Sequence, residues 1–270
     1  MLELLEHGEL SSTEVLRLTV FFASMSVLVS SLEYLTLLRH FGSNGLFSGR
    51  VSYGFSPRVN QIAKRAFTPK NMAVIFITRT LAASWCLLFP ATPLAIPLIV
   101  MLIGQAAIHC RCRYGLEGGD QMTMILLVML VVPACFDNES IREIAIGFIA
   151  IQSCLSYMIA GIGKLNGAAW RDGTAVAGVL RTRQNGHEYL WRIVHRSPLV
   201  SFLATYLVIA FECTFSIAVC LSPKMALAYL FAGCIFHVTN AIAMGLNGFV
   251  WAFIGAYPAV LFWSIKFSQG

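Results

Sequence analysis

The segment from Tyr157 to Trp170 places a single lysine at the end of an apolar run. It reads Tyr-Met-Ile-Ala-Gly-Ile-Gly-Lys-Leu-Asn-Gly-Ala-Ala-Trp, so Lys164 follows the small residues Ala160 and Gly161. A charged side chain at mid-bilayer costs roughly 2.5–3.5 kcal/mol on insertion scales, so it usually has a function. A desolvated lysine can be neutral and act as a general base. The alternative is an ammonium that reaches the membrane interface beside an aromatic belt.

Three further side chains have the chemistry to assist such a base. Tyr157 lies two helical turns before Lys164 on a similar face, and the small residues between them would allow a second backbone to approach closely. His237 and Asn240 are three residues apart and share a helix face. A histidine beside an amide can orient a ligand oxygen or shuttle a proton. The alternative is a hydrogen bond between helices, worth about 0.6 kcal/mol in membranes.

Charged residues also occur inside other apolar runs. Glu33, Arg79 and Glu212 each interrupt one of them. They are candidates for substrate binding, because ionisable residues within spans commonly mark functional sites. The alternative is internal pairing, which for Arg79 means an ion pair with Glu33 or with Glu212. A guanidinium stays charged and offers five donors, which suits a structural or a carboxylate-binding role.

The sequence Gly-Gly-Asp120-Gln121 lies between two apolar runs. It predicts either a turn in which Asp120 caps the next helix or a polar cluster in which Asp120 and Gln121 line a cavity. The eight cysteines lie mostly in apolar runs and show no Cys-x-x-Cys pair. We therefore predict no metal site.

The composition determines the class of protein that holds these residues. The chain is 57% hydrophobic and 12% charged, whereas a soluble domain has about 25% charged residues. A spanning helix needs about 20 apolar residues, and irregular backbone cannot face lipid. The sequence therefore predicts an all-α, polytopic helix bundle, a single membrane domain over residues 1–270, with about eight transmembrane helices. The predicted spans are Val15–Leu38, Met72–Phe89, Leu94–His109, Met122–Cys135, Ile144–Ile162, Leu199–Leu221, Met225–Met244 and Phe249–Ile265.

Basic residues concentrate in connections that would share one side of the membrane. They lie in residues 39–71, in residues 164–198 and at Arg111 and Arg113. The positive-inside rule places that side in the cytoplasm and both termini outside. Net charge is +6, which in a membrane protein usually reflects cytoplasmic loops and lipid headgroups rather than nucleic acid.

The second of these connections contains a repeating pattern. Glu188, Arg192 and Arg196 recur at every fourth residue with apolar residues between them. This pattern favours either a short interfacial helix between the fifth and sixth spans or a solvated loop.

Several of these motifs, taken in order, resemble the vitamin K-dependent γ-carboxylase-like family and its bacterial branch, the horizontally transferred transmembrane (HTTM) domain. The resemblance covers about residues 15–265. Tyr157 to Gly173 is similar to a family segment with an aromatic–Ile-Ala-Gly run, a catalytic lysine and a following tryptophan and glycine. Phe-His237-Val-Thr-Asn240 resembles the family's Phe-His-x-x-Asn. The supporting similarities are Phe41-Gly-Ser-Asn-Gly45-Leu, Glu212 and Met244-Gly245 with Phe249-Val-Trp251.

The resemblance implies a chemistry and a set of roles. Lys164 falls on the lysine that deprotonates a reduced quinone of the vitamin K type. The quinol then reacts with oxygen to give a strong base, which removes a proton from a peptide glutamate before carbon dioxide adds. His237 would then act with Lys164 in catalysis and, with Asn240, orient the quinone. Tyr157 would assist.

The chain also departs from the carboxylase. It lacks the large extramembrane region that grips the peptide, and Asp120-Gln121 stands where the carboxylase has Asn-His. We therefore expect a small, bacterial-type enzyme of the cell membrane acting on a peptide or quinone-like substrate. A partner protein would supply the missing extramembrane part. The alternative is a non-catalytic membrane subunit, such as a DoxX-like quinone-binding protein or a toxin-maturation or immunity factor.

Overall fold

A computed structural model of the chain describes residues 10–42, 45, 47, 65–112, 116–182 and 186–269. Within these ranges the secondary structure is helical and contains no strand. The chain divides into two compact units, which are treated separately. One contains Ile146–Leu246 and the residues from Ala256 onward, and the other contains Leu16–Ala145 with Asn247–Gly255.

Seven helical segments in the described part of the chain are long and apolar enough to cross a membrane, and two of these, Pro198–Cys220 and Asn247–Gln269, each combine two helical elements; Ala95–Arg111 is a shorter apolar helix. This confirms the predicted all-α, polytopic membrane architecture. The helices are α1 (Ser12–Thr36), α2 (Pro69–Leu88), α3 (Ala95–Arg111), α4 (Gly118–Cys135), α5 (Glu139–Asn166), α6 (Ala168–Arg171), α7 (Ala175–Leu180), α8 (Glu188–Arg196), α9 (Pro198–Thr214), α10 (Pro223–Met244), α11 (Asn247–Ile254) and α12 (Tyr257–Gln269), with 3-10 turns at Leu38–Phe41 and Phe215–Cys220.

Two predicted spans differ from the observed helices. The sixth span is α-helical only to Thr214 and continues as a 3-10 helix to Cys220. The eighth is interrupted between α11 and α12 rather than continuous. Pro258, the second residue of α12, has no N–H to donate to the carbonyl of Ile254, which explains why one α-helix cannot run through this point.

The unit that contains α1 to α4 is built on contacts between sequential helices. Helix α2 packs on α3, α3 packs on α4, and α4 packs on α11. Glycine allows the last contact, because a Cβ at Gly119 would lie 3.1 Å from the backbone nitrogen of Phe249. A hydrophobic cluster near the 3-10 turn after α1 is formed by Phe41, Met72, Phe76, Ile108 and Cys112.

The other unit contains most of the residues that the sequence analysis singled out. In it α12 packs on α10 and on the 3-10 turn that follows α9, and α7 packs on α8 and α9. The helix predicted between the fifth and sixth spans is present as α8, so the alternative of an irregular loop is wrong. Its Arg192 pairs with Glu188 one turn earlier, as the spacing indicates. Ser197 separates α8 from α9, which begins at Pro198.

The predicted orientation can be tested at two connections on opposite sides. Most of the basic connection 39–71 lies outside the described residues, and so does Arg113. Ser43, Asn44 and Leu46, which belong to the segment Phe41–Leu46 that resembles the γ-carboxylase-like family, lie outside them as well.

In a cysteine-free background we expect a membrane-impermeant maleimide added to intact cells to label Asn138→Cys, between α4 and α5. It should label Arg196→Cys only after the cells are permeabilised. The reverse pattern would show that the positive-inside assignment is wrong.

Candidate functional site

Lys164, in the last turn of α5, forms an ion pair with Glu212 of α9. The distance from Nζ to Oε2 is 2.5 Å, so the ammonium and the carboxylate are in direct hydrogen-bonding contact. The Glu212 side chain is 7% exposed and the Lys164 side chain 22%. The Lys164 ammonium also lies 5.2 Å from the centroid of the Trp170 ring, within the range of a cation–π contact. The lysine is therefore held between a buried carboxylate and an indole.

Close packing of α5 on α9 brings these two charges together. A Cβ at Gly161 would lie 2.7 Å from Sγ of Cys213 and 2.8 Å from its backbone nitrogen. This confirms the prediction that the small residues before Lys164 let a second backbone approach. Gly161 is three residues before Lys164 and Cys213 directly follows Glu212, so this contact fixes the spacing of the ion pair.

Tyr157, His237 and Tyr257 form a second polar group, and all three side chains are buried. The hydroxyl of Tyr157 hydrogen-bonds Nε2 of His237. It also shares a hydrogen bond of 2.6 Å with the hydroxyl of Tyr257. Three helices, α5, α10 and α12, contribute one residue each. A chain of hydroxyl and imidazole groups can pass a proton along its hydrogen bonds, because each member both donates and accepts.

Aromatic rings enclose this hydrogen-bonded chain. The rings of Tyr157 and Phe215 are stacked with centroids 3.9 Å apart. Phe211 lies edge-on to Tyr157 at 5.6 Å, and Phe236 lies 5.3 Å from Phe211. Gly233 of α10 packs directly against the Tyr257 hydroxyl, since a Cβ at this position would lie only 2.2 Å from the hydroxyl oxygen. These rings pack against one another as a core does.

The central position of Tyr157 leads to a stability prediction. Tyr157→Phe removes the hydroxyl that both His237 and Tyr257 use, whereas Tyr257→Phe removes only one of these hydrogen bonds. A buried polar group left without its partner costs about 1–3 kcal/mol. We expect Tyr157→Phe to lower the free energy of unfolding by about 2 kcal/mol more than Tyr257→Phe, measured by detergent-based unfolding. Equal losses would show that Tyr157 does not bridge the other two groups.

The remaining predicted site residues occupy different surroundings. Asn240 is half-buried on α10, one turn after His237. Gln121 is exposed in the first turn of α4. Asp120 accepts a hydrogen bond of 3.1 Å from the backbone N–H of Glu117. This confirms the prediction that Asp120 caps the next helix, although it does so from the third helical position rather than as the residue before the helix. Glu117 precedes the helix, and Asp120 reaches back to it from the first turn, as in a capping box.

Glu117 and Asp120 give this junction a local acidic character. Partial burial raises the pKa of the Glu117 carboxyl, and the neighbouring negative charges of Asp120 and Glu33 raise it further. The side chain of Glu33 accepts a hydrogen bond of 2.8 Å from Asn247.

Arg79 does not make the ion pair that its position in an apolar run predicted. Its Nη2 instead donates to the side chains of Ser30 at 3.3 Å and Gln105 at 2.6 Å. Neither Glu33 nor Glu212 is its partner, since Glu33 accepts from Asn247 and Glu212 pairs with Lys164. The prediction failed because the guanidinium hydrogen-bonds uncharged polar side chains instead, Ser30 on α1 and Gln105 on α3.

Two contributors were missed by the sequence analysis. Tyr257 and Gln105 are single polar groups in apolar surroundings, and each hydrogen-bonds a residue that was selected. A polar atom within a span usually finds a partner, so the sequence could have identified both residues as polar groups that need one. The sequence could not identify which partner each one has, since Tyr257 and Tyr157, for example, are 100 residues apart in the chain.

Comparisons of the chain with family models, with curated proteins and with solved structures gave no match. The resemblance to the γ-carboxylase-like family therefore rests on the motifs of the sequence and stays a prediction. The roles of Lys164, His237, Tyr157, Asn240 and Glu212 that follow from it stay predictions as well.

A reduced quinone would have to fit one of these two polar groups. At Tyr157 and His237 both side chains are buried, and one face of the Tyr157 ring is stacked on Phe215 with centroids 3.9 Å apart, so this group offers a quinone ring less room than Lys164 does. Lys164 is different, because its side chain is partly exposed and its ammonium lies near the Trp170 ring and has donors beyond the one that binds Glu212. A cationic donor beside an aromatic ring suits the oxygen and the ring of a quinone.

Proposed function

We propose that the chain is a multi-span enzyme of the cell membrane that removes a proton from a quinone-like or peptide substrate, with Lys164 as its base. The observation that carries this proposal is the Lys164–Glu212 pair, in which a nearly buried glutamate side chain binds a partly exposed lysine side chain. Ionisable pairs inside membrane helices are commonly parts of proton pathways. The resemblance to the γ-carboxylase-like family supports the same residue as base.

The pair provides a way to obtain a neutral amine without creating net charge. The ammonium of Lys164 can pass one proton to Glu212, which leaves a neutral amine and a neutral carboxylic acid. In surroundings of low polarity this neutral pair competes with the ion pair, because burying two charges is costly. The amine then accepts a proton from the substrate oxygen or carbon, and Glu212 carries the proton that Lys164 gave up.

The other groups of this unit act around that step. Trp170 would hold the ring of a reduced quinone at Lys164, and the reduced quinone, when bound, would supply the electrons that reduce oxygen in an oxygen-dependent oxidation or carboxylation. Tyr157 lies on the same helix as Lys164, about 10 Å along its axis for seven residues. With His237 and Tyr257 it forms a hydrogen-bonded chain within the unit, along which a proton could move. Asn240 would orient a substrate through the face it shares with His237.

A second candidate is a non-catalytic membrane subunit, such as a quinone-binding, toxin-maturation or immunity factor. The observation that favours it is that the polar side chains of this unit bind one another: Lys164 binds Glu212, and Tyr157 binds His237 and Tyr257. Internal pairs of this kind hold helices together without any chemistry. A partner protein that supplies an extramembrane part is compatible with either candidate.

The test is to purify the protein in mild detergent and analyse what it carries and what it does. Bound lipid is extracted for mass spectrometry, and oxygen uptake is recorded with a reduced naphthoquinone, with and without a glutamate-rich peptide and ¹³C-bicarbonate. We expect quinol-dependent oxygen uptake above that of detergent micelles alone, and ¹³C in the peptide would identify carboxylation. Absence of both uptake and copurifying quinone would favour the non-catalytic candidate.

A further inference from the structure

The open side of helix α8 carries an apolar stripe of two residues. Leu190, Trp191 and Val194 are half-buried, so they mark the side on which α8 packs on α7 and α9. Tyr189 and Ile193 lie one helical turn apart on the open side, with 67% and 47% of their surface exposed. We call these two residues the apolar stripe of α8. The described residues leave this stripe open to its surroundings.

A charged stripe runs beside the apolar one. Glu188, Arg192 and Arg196 are exposed and recur at every fourth residue, each about 100° around the helix axis from the residue that follows it. Arg192 pairs with Glu188. Among the described residues no carboxylate lies within the 4.0 Å that defines an ion pair with Arg196. With two arginines and one glutamate, the charged stripe is positive overall.

The helix that follows α8 fixes the level at which these stripes meet the membrane. Helix α9 begins at Pro198, two residues after the end of α8, and belongs to a segment long and apolar enough to cross a membrane. Its exposed apolar side chains begin in the first turn, with Leu199 at 65% and Leu203 at 56% exposure. Ser197 between the helices has extended backbone, so α8 does not continue the axis of α9. Helix α8 therefore lies where the lipid-facing surface of α9 begins.

Arginines beside an apolar stripe at this level match the headgroup region of a bilayer. Apolar side chains of an interfacial helix enter the boundary of the acyl chains, while arginine stems carry their charge to the headgroups. A guanidinium binds phosphate oxygens through several donors at once, and a positive stripe favours anionic over zwitterionic lipid. The predicted orientation places α8 on the cytoplasmic side, whose leaflet carries the anionic lipid. An acidic peptide would use the charged stripe alone, whereas a lipid uses both stripes.

We propose that α8 is a docking surface for anionic phospholipid. Arg192 and Arg196 bind the headgroup phosphate, and the apolar stripe rests against the upper part of the acyl chains. Glu188 competes with the phosphate for Arg192, so this carboxylate weakens the lipid site rather than forming part of it. The inference goes beyond the function proposed above, because the surface includes neither Lys164 nor Glu212 and holds for a catalytic and a non-catalytic protein alike.

The experiment identifies the lipid that lies beside α8 in the complete protein, reconstituted into vesicles of phosphatidylcholine and phosphatidylglycerol. In a cysteine-free background, Ile193→Cys carries an environment-sensitive fluorophore. In parallel samples one of the two lipids carries a nitroxide quencher at the same acyl position. We expect both lipids to quench the fluorophore and phosphatidylglycerol to be enriched about 5-fold beside it, which corresponds to one net positive charge at an anionic surface. The enrichment should fall as salt is added, because salt screens exposed charges.

Three variants in this labelled background separate the charged stripe from the rest of the protein. Arg192→Gln combined with Arg196→Gln should abolish the enrichment and leave the protein folded, because both side chains are exposed. Glu188→Gln should increase the enrichment, since it removes the carboxylate that pairs with Arg192. The matched control is Lys224→Gln, which removes an exposed cation in the first turn of α10. The crossing segment Pro198–Cys220 separates this lysine from α8, so the enrichment should not change.

Three outcomes would overturn the proposal. Quenching by neither lipid would show that the apolar stripe lies in water and leave an acidic peptide as the partner of the arginines. Equal quenching by the two lipids would show that α8 does not select a headgroup. Enrichment that survives the double arginine variant would assign it to the charge of the protein as a whole. Because no readout involves quinone or oxygen, failure here is distinguishable from failure of the proposed enzyme activity.

Discussion

Lys164→Ala is expected to abolish quinol-dependent oxygen uptake while the protein remains folded and membrane-inserted. The substitution removes the amine that the proposed step requires, and catalysis by a positioned base contributes about 10²–10⁴-fold to a rate. The variant should remain folded because Glu212, which loses its ion-pair partner, can bind a proton and become neutral. The measurement is oxygen uptake per folded protein, with folding checked by size-exclusion chromatography in detergent.

Two control variants separate a base from a structural cation. Lys164→Arg keeps a positive charge for Glu212 and for Trp170, but a guanidinium does not give up its proton. We expect Lys164→Arg to be more stable than Lys164→Ala but to have no more activity than that variant. Lys266 also lies over aromatic rings, 5.1 Å from Phe262 and 5.4 Å from Trp263, so Lys266→Ala should leave activity intact. Activity in Lys164→Arg would exclude Lys164 as the base and leave the ion pair as a structural contact.

Gly161→Ala is expected to destabilise the protein, whereas Gly163→Ala should not, although both glycines precede Lys164 on the same helix. A Cβ at Gly161 would lie 2.8 Å from the backbone nitrogen of Cys213, but one at Gly163 would meet nothing within 4 Å. A side-chain sulfur can rotate away, and a backbone nitrogen cannot. Overpacking of this kind costs about 1–3 kcal/mol, while alanine in place of glycine favours a helix by up to about 1 kcal/mol.

The two glycine variants should therefore differ by about 2 kcal/mol in their free energies of unfolding, because the gain in helix propensity is common to both and only the overpacking cost differs. Their unfolding is compared in mixed micelles at rising denaturing-detergent fraction. Because the contact at Gly161 sets the distance between α5 and α9, Gly161→Ala should also lower activity per folded protein. Equal stability of the two variants would contradict the close packing at Cys213 and, with it, the geometry of the Lys164–Glu212 pair.

Lys164 and Arg79 differ in their hydrogen-bond partners and in their exposure. Lys164 has a carboxylate in contact and remains partly exposed, which suits a group that exchanges protons with a substrate. Arg79 is fully buried, and among the described residues its hydrogen-bond partners are the uncharged side chains of Ser30 and Gln105. Both Lys164 and Arg79 interrupt apolar runs in the sequence, and their spacing alone did not separate these two environments.

The sequence determined which segments are helical and apolar enough to span a membrane. Every predicted span corresponds to an apolar helix in the structure, with differences at the ends and interruptions at Thr214 and before Tyr257. The physical reason is that hydropathy and backbone satisfaction within a helix are local, so they depend only on residues close together in the chain. The short helix α8 follows in the same way from charges spaced four apart.

Only the tertiary structure decided which polar groups are partners. Lys164 and Glu212 are 48 residues apart and Tyr157 and His237 are 80 apart, so their meeting depends on which helices pack and in what rotation. For Arg79 the sequence offered two acidic residues, and the packing supplied Ser30 and Gln105 instead. Coulomb attraction depends on the distance between two charges, which the sequence does not give for residues far apart in the chain. Helix packing, which is set by small residues such as Gly104 and Gly161, selects the neighbours that are close enough to bind.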